Sequence, residues 1–348
     1  MTASVPRLQK RLFLDRPVAG AARRVGRVFI AWGAIAGRTH EIAAEVGAEV
    51  LSCFPPGSPN RPPALIRYAR SAAMTTRYLI QRRPLVVIVT NPPVIPAVLA
   101  TVYARLTGSA VVLDDHPGAF GAMGYKPGRY LDVLHRWAAK RARLCLVTDD
   151  SWSDVVGAWG GRGLVLHEAP GLSPTQADRP CGETPRVLFV CTFGRDEPVQ
   201  AFFAAAALLA DWRFDVTGDP SQRPPGEIPP NVRLVGFLGP EQYREALEQA
   251  DVVIALTTEP TSAMRAAFEG VWMEKVLVVS DWPLLRRLFP DAVHVDNTVQ
   301  GIAAGVSRAV RDHPDLAARS RIMKKAQYER WEEQLASLRS TLDEVCTR

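Results

Sequence analysis

The sequence predicts an α/β fold with two parallel sheets, one in each half of the chain. Three observations support this prediction. Short strand-like runs are apolar throughout, as in strands that are buried on both faces of a parallel sheet. Helical stretches separate these runs, and the alternation restarts after a segment rich in Pro and Gly at 171–185. The 348 residues suffice for two domains of about 150 residues each.

The first half contains six predicted strands and five predicted helices. The strands are Arg27–Gly33, Glu49–Cys53, Leu85–Thr90, Ala110–Asp114, Leu144–Thr148 and Leu164–His167. The helices are Thr39–Val46, Ala64–Arg82, Pro96–Leu106, Tyr130–Arg143 and Ser151–Trp159. Regular alternation of strand and helix indicates βαβ units and an open parallel sheet.

The second half repeats this pattern. Its predicted strands are Arg186–Cys191, Arg213–Thr217, Val232–Val235, Val252–Leu256 and Val276–Val279. Its predicted helices are Val199–Ala210, Pro240–Gln249, Ser262–Met273, Pro283–Leu288 and a long charged helix from Pro314 to about Val345. We therefore predict a flexible basic lead-in at 1–25, a first domain at 26–172, a linker at 173–185, a second domain at 186–325 and a terminal helix at 326–348.

Composition and hydropathy argue against a disordered, a membrane-spanning and a secreted protein. With 47% apolar and 22% charged residues, the chain is ordinary for a globular protein. No apolar run approaches the roughly 20 residues of a membrane span, and residues 1–20 lack the apolar core of a signal peptide. We therefore expect a cytoplasmic protein. The five cysteines are scattered without metal-like spacing, so we expect reduced thiols and no metal site.

The two halves differ in charge. Residues 1–170 contain 22 Lys and Arg against 11 Asp and Glu, whereas residues 171–348 contain 20 against 25. A basic half suits nucleic acid, an anionic membrane or a phosphate-bearing substrate, although Arg-rich solvated faces alone would give the same count. We expect no nucleic-acid partner and a contact with an anionic membrane. The helical stretch Ala64–Arg83 also contains apolar residues, and its five arginines suit peripheral docking: Arg67, Arg70, Arg77, Arg82 and Arg83.

Ligands of open α/β sheets bind outside the carboxyl ends of the strands. In the first half, Gly33, Gly37 and Arg38 follow the first strand and lead into a helix, without a GxGxxG fingerprint. Asp114, Asp115 and His116 form the densest polar cluster, at the end of the fourth strand. Adjacent strand residues point to opposite faces, which argues against a metal shared by the two aspartates. His116 is a candidate for acid–base chemistry.

The second half offers candidates for binding a diphosphate. Arg195, after Gly194, follows the first strand and can bind phosphate in bidentate geometry. Gly218 and Phe237 follow the next two strands. The segment Thr261–Met264 (Thr261, Ser262, Ala263, Met264) begins a predicted helix whose free amides suit a diphosphate. Glu269, two turns further along, can accept hydrogen bonds from ribose hydroxyls.

Residues 231–281 resemble the nucleotide-binding half of family-4-type GT-B glycosyltransferases. In that family a loop, a helix start and a helix glutamate hold the diphosphate and the ribose. Glu269 matches the second glutamate of the family's E-x₇-E pattern, whereas the first falls on Thr261. The segment Tyr328–Gln334 resembles the closing helix, which crosses back onto the N-terminal domain.

The first half resembles the β-mannosyltransferases of dolichol-linked chitobiose and their bacterial relatives. The resembling segments are Gly37–Thr39, Asn91–Pro96 and Asp114–His116, together with Phe193–Glu197 at the start of the second half. The resemblance implies a GT-B fold, in which two Rossmann-like domains face each other across a cleft. It also implies transfer of a sugar from a GDP- or UDP-linked donor to a hydroxyl of a glycan or polyprenyl-diphosphate-linked acceptor, in cell-surface polysaccharide or glycolipid assembly. No metal or other cofactor is expected.

On this interpretation, Arg195 and the helix start at Ser262 stabilise the leaving diphosphate. If the reaction inverts the anomeric centre, His116 or Asp115 is the candidate general base. The family usually pairs an arginine with a nearby lysine on the diphosphate, but no lysine follows Arg195. Retaining and inverting chemistry therefore both stay open. A GT-B protein that binds sugar nucleotides without turnover and a Rossmann oxidoreductase are the alternatives, and the lack of GxGxxG argues against the second.

Overall fold

The computed structural model describes residues 26–32, 37–53, 64–122, 128–175, 181–182 and 184–346. Within them the chain forms two parallel six-stranded sheets, each covered by helices on both faces. The prediction of an α/β fold with two parallel sheets is confirmed. The predicted lead-in at 1–25, residue Gly33 and much of the predicted linker lie outside the described residues.

The first sheet has the strand order β2-β1-β3-β4-β5-β6. Its strands are β1 (Arg27–Ala31), β2 (Glu49–Ser52), β3 (Val86–Asn91), β4 (Ala110–Asp115), β5 (Leu144–Val147) and β6 (Gly163–Val165). Its helices are α1 (Gly37–Glu45), α2 (Ala64–Arg82), α3 (Val94–Thr107), α4 (Arg129–Ala139) and α5 (Asp150–Ala158). Along β1, Val28 and Ile30 pack with α2 to α5, whereas Phe29 packs on the opposite face with α1. Burial on both faces explains the unbroken apolar runs.

The second sheet has the order β12-β11-β10-β7-β8-β9. Its strands are β7 (Arg186–Phe189), β8 (Arg213–Thr217), β9 (Val232–Gly236), β10 (Val252–Ala255), β11 (Val276–Ser280) and β12 (Val293–Val295). The helices are α6 (Val199–Ala207), α7 (Pro240–Gln249), α8 (Arg265–Trp272), α9 (Pro283–Leu288), α10 (Val299–Arg311) and α11 (His313–Cys346). Strand order reverses between β7 and β10, which places the ligand-binding crevice of such a sheet above these two strands.

Helix α11 joins the two domains. It runs for 34 residues, or roughly 50 Å at 1.5 Å per residue. Near its start, Leu316 and Met323 pack into the core of the second domain. Near its end, Trp331 and Leu335 pack against Phe29 and other core residues of the first domain. The same rigid element therefore contacts both cores.

Two features of the second domain differ from the sequence analysis. Helix α8 begins at Arg265 and not at Ser262, because residues 259–262 form a turn in which Ser262 N donates to the carbonyl oxygen of Glu259 (3.2 Å). The amide at Ser262 is thereby used within the turn. The short strand β12 and the helix α10 were not predicted, although α10 buries Ile302 and Val306 at helical spacing.

Candidate active site

The polar residues that face the cleft lie at the carboxyl ends of both sheets. On the first domain, α1 begins at Gly37 and His116 directly follows β4. On the second domain, α8 begins at Arg265 after β10. The two walls touch: a Cβ atom on Gly37 would lie 2.6 Å from Nη2 of Arg265. A side chain at position 37 would therefore displace the guanidinium of Arg265 from this position between α1 and α8.

Arg38 is the buried centre of the first-domain wall. Its Nε donates to Oδ1 of Asp114 (3.2 Å), and its Nη1 donates to Oε1 of Glu168 (3.2 Å). Further bonds go to the carbonyl oxygens of His167 (3.1 Å) and Leu166 (2.9 Å). The side chain is 3% exposed, so this guanidinium holds two carboxylates in place and presents almost no surface to a ligand.

Asp114 and His116 form a pair at the end of β4. Nε2 of His116 lies 3.4 Å from Oδ2 of Asp114, and the histidine side chain is 35% exposed. Burial raises the pKa of Asp114, but the charges of Arg38 and His116 outweigh burial and lower that pKa to about 2. Burial lowers the pKa of His116, but the carboxylate of Asp114 raises it by more, so that it lies above its ordinary value. Asp114 is thus a permanently charged partner for a partly exposed imidazole.

Asp115 lies on the opposite face of the sheet. Its Oδ1 accepts a hydrogen bond from Nδ2 of Asn91 (2.7 Å) and lies 3.0 Å from Nε2 of His135. Both Asp115 and His135 are buried. The structure therefore separates Asp115 from His116, the two residues that the sequence analysis offered as alternative bases. Asp114 is the carboxylate beside His116, and the alternation of side chains along a strand was the signal that could have selected it.

Arg265 connects the two walls of the cleft. Its Nη2 donates to Oε1 of Glu41 (2.6 Å) and its Nη1 to Oε2 of Glu168 (3.1 Å), both on the first domain. Its Nε donates to Oε1 of Glu269 (2.7 Å), one turn along α8. Glu269 was predicted from the sequence, and its i, i+4 spacing from Arg265 was the local signal that could have found this arginine. Glu41 and Glu168 were not predicted, because they lie 224 and 97 positions from Arg265 and leave no local pattern.

Glu269 is held by two donors. Besides Arg265, the hydroxyl of Tyr243 on α7 donates to its Oε2 (2.6 Å). The side chain is 12% exposed. Burial raises the pKa of Glu269 above its ordinary value, although Arg265 and Tyr243 act in the opposite direction. Each carboxylate oxygen of Glu269 accepts one of these two bonds and can accept one more, since a carboxylate oxygen accepts two.

The loop after β7 is fixed by its own acidic residues. The carboxylate of Glu197 accepts hydrogen bonds from the amides of Thr192 (3.0 Å) and Gly194 (2.6 Å). Oδ2 of Asp196 accepts one from the hydroxyl of Thr257 (2.9 Å), which ties this loop to the loop after β10. Arg195 lies between these anchored residues and is exposed.

Two further predicted residues lie at the same edge of the second sheet. Gly218 has φ +102°, and a Cβ there would lie 2.7 Å from the carbonyl oxygen of Cys191 in the loop after β7. Phe237 follows β9 with 85% of its surface exposed. The edge therefore presents a close-packed glycine, an exposed arginine and an exposed aromatic ring.

Comparisons with known proteins agree with this architecture. Residues 195–340 match a protein-family model described as glycosyl transferase-like. Sucrose-phosphate synthase of Thermosynechococcus elongatus is similar in structure, with a TM-score of 0.72 and 13% identity over 92% of this chain and 99% of that one. The fold is GT-B.

Two other solved structures are similar to this chain. HepE of Anabaena, solved in complex with UDP and glucose, has a TM-score of 0.70 and 12% identity over 93% of this chain and 100% of that one. A glycosyltransferase of Rickettsia africae has a TM-score of 0.66 and 13% identity over 92% and 99%. A search of the curated proteins found no match. The likeness of the first half to β-mannosyltransferases stays a prediction.

Proposed function

We propose that this GT-B protein is a glycosyltransferase that moves a hexose from a GDP- or UDP-linked donor to a hydroxyl of a glycan or lipid-linked acceptor. The observation that supports the proposal most is that two walls with different polar groups meet at one cleft. A carboxylate–imidazole pair, Asp114 and His116, lies on one wall, and the glutamate Glu269 lies on the other within reach of Arg265. The similar HepE was solved with UDP and with UDP-glucose.

The donor would lie over the carboxyl ends of β7 to β10. In this arrangement Glu269 accepts hydrogen bonds from the ribose, and Arg195 binds the diphosphate. Phe237 has the exposed ring needed to stack on the base. Gly194 and Gly218 allow the close approach of the ligand, and the segment Thr261–Met264 lies beside the phosphates. Amides in the first turn of α8 add favourable dipoles for an anion.

The proposed reaction forms a bond between the acceptor oxygen and the anomeric carbon of the sugar. The bond from that carbon to the diphosphate oxygen breaks, and its electron pair leaves with the diphosphate. In an inverting reaction, the acceptor proton passes to Nδ1 of His116, because Nε2 faces Asp114, and Asp114 stabilises the imidazolium that forms. Arg195 and α8 stabilise the departing negative charge, so we propose transfer without a bound metal.

A surface of the first domain suits an anionic membrane. It is formed by α2, α3 and α4, which pack side by side. Large apolar side chains are exposed across all three helices: Leu65 (81%), Ile80 (62%), Leu106 (81%), Tyr130 (77%) and Val133 (59%). Arg70, Arg77 and Arg83 are exposed on or directly after α2. Apolar side chains interspersed with arginines are typical of helices that lie in a membrane interface.

This surface supports peripheral attachment to the cytoplasmic face of a membrane, where lipid-linked acceptors of polysaccharide or glycolipid assembly would be found. None of the described helices is both long enough and apolar enough to cross a bilayer.

The test is a thermal-shift screen against UDP, GDP, ADP and dTDP, with NAD as the comparison ligand. A ligand that binds only the native state stabilises it by about 2.7 kcal/mol at one hundred times its dissociation constant. We expect UDP or GDP to raise the melting temperature and NAD to leave it unchanged. A shift with NAD alone would favour an oxidoreductase. Binding of a sugar nucleotide without its consumption would leave a GT-B protein that only binds.

A further inference from the structure

Arg265 is the one cation among the described residues that bonds to carboxylates of both domains at this cleft. Two of its carboxylates, Glu41 and Glu168, come from the first domain, and the third, Glu269, comes from its own helix. Its guanidinium also lies against the backbone of Gly37. The planar fork of an arginine suits such simultaneous contacts, because Nε and both Nη atoms point in fixed directions.

The contacts of Glu269 leave it able to bind a ligand. Oε1 accepts a bond from Arg265, and Oε2 accepts one from Tyr243. One acceptor position on each oxygen is still available, which matches a pair of neighbouring sugar hydroxyls. Arg265 and Tyr243 therefore orient the carboxylate without occupying it fully. The charge of Arg265 also favours the ionised form, which is the better acceptor.

We propose that Arg265 is a positioning residue that makes ribose binding at Glu269 depend on Glu41 and Glu168 across the cleft. The proposal rests on the proposed function, in which Glu269 binds the donor ribose. In the closed cleft the two first-domain carboxylates fix the guanidinium, and the guanidinium fixes Glu269. Nucleotide affinity then reports on residues of the first domain that do not touch the nucleotide.

The proposal predicts a loss that is specific to the ribose. If Arg265 acts through Glu269, removing Arg265 weakens binding of the ribonucleoside diphosphate. It has little effect on binding of the 2′,3′-dideoxy form, which has no ribose hydroxyls for Glu269. If Arg265 instead bound the diphosphate directly, both forms would weaken equally. The ratio of the two dissociation constants therefore separates positioning from direct contact.

The experiment is calorimetry on the full chain with UDP and GDP, followed by the dideoxy form of whichever binds. We expect Arg265→Ala to raise the dissociation constant of the ribonucleoside diphosphate about tenfold and Glu41→Gln to raise it about threefold, because partly exposed charged contacts are lost. The dissociation constant of the dideoxy form should change less than twofold. In a Glu269→Ala background, Glu41→Gln should have no further effect, because the coupling passes through Glu269.

Arg287→Ala is the matched control, since Arg287 on α9 pairs with Asp149 and Asp150 of the first domain and not with Glu41, Glu168 or Glu269. It removes another contact between the domains and should leave nucleotide affinity unchanged. Equal losses for the ribo and dideoxy forms, or an unchanged affinity in Glu41→Gln, would overturn the proposal. If Arg265→Ala does not fold, Glu41→Gln decides alone. If the wild-type protein binds neither nucleotide, the proposed function and this inference fall together.

Discussion

Nε2 of His116 lies 3.4 Å from Oδ2 of Asp114, while Oδ1 of the same aspartate is held by Arg38. The carboxylate is buried and the imidazole is partly exposed to the cleft. Burial and the charge of Arg38 lower the pKa of His116, but the carboxylate of Asp114, which also orients the imidazole, outweighs them and raises this pKa above its ordinary value.

Asp114→Asn should shift the pH dependence of turnover. A histidine that acts as a base must be neutral, so activity should rise with pH through the raised pKa of His116. Removing the charge of Asp114 lowers that pKa, and the acidic limb of the kcat profile should move to lower pH. Turnover on the alkaline plateau should fall, because the imidazolium is less stabilised. An unmoved limb, in a variant that melts normally, would show that this pair does not act in turnover.

Glu269→Ala should weaken nucleotide binding. A hydrogen bond to a charged group contributes roughly 1.5–3 kcal/mol, which corresponds to about 10- to 150-fold in the dissociation constant. Calorimetry with the nucleoside diphosphate measures this loss, and circular dichroism checks that the fold is retained. An unchanged affinity would remove Glu269 from the proposed donor site.

Arg195→Ala should weaken the binding of a nucleoside diphosphate much more than that of the bare nucleoside, since the exposed arginine is proposed to bind the phosphates. Competition measurements with both ligands give the comparison. Arg223→Ala, a change to another arginine of the second domain, serves as the control and should alter neither affinity. A loss of the same size for both ligands would place Arg195 elsewhere.

The surface of α2, α3 and α4 should bind anionic vesicles. Each basic residue near the lipid contributes about 1 kcal/mol, and salt screens this attraction. Co-sedimentation should require anionic lipid, decline with added salt and weaken in Leu65→Ser and Ile80→Ser, whose apolar side chains are exposed. Ile322→Ser, on the exposed side of α11, is the control for removing an apolar surface residue elsewhere. If the protein does not bind anionic vesicles at low salt, membrane attachment is wrong. The acceptor would then be soluble, and the Arg-rich surface would have no membrane partner.

The sheets could be predicted because their strands are buried on both faces, which leaves continuous apolar runs such as Val86–Val89. The short strand β12 gives no comparable run. The start of α8 was misplaced because Thr261 and Ser262 look like helix-capping residues, whereas their polar groups bond within the preceding turn.

The site was predicted less completely than the fold. Position after a strand was enough to bring His116 and Glu269 to attention. Asp114, the partner of His116, was part of the predicted cluster. The first-domain carboxylates that bind Arg265 were not predicted, because Arg265 bonds to Glu41 over 224 positions of sequence. Burial also changed the interpretation of Arg38, since a charged residue after a Gly-rich turn suggests an anion site until its neighbours Asp114 and Glu168 are known.

The most direct test of the account is release of nucleoside diphosphate from a panel of UDP- and GDP-sugars, with and without a lipid-linked acceptor, by the wild-type protein and His116→Ala. We predict that the wild-type protein consumes at least one sugar nucleotide and that the acceptor accelerates this consumption. His116→Ala should lower kcat by about 10²- to 10⁴-fold while the nucleotide dissociation constant changes by less than about threefold. Undiminished turnover by His116→Ala, or no consumption of any donor by a wild-type protein that binds nucleotide, would contradict the account.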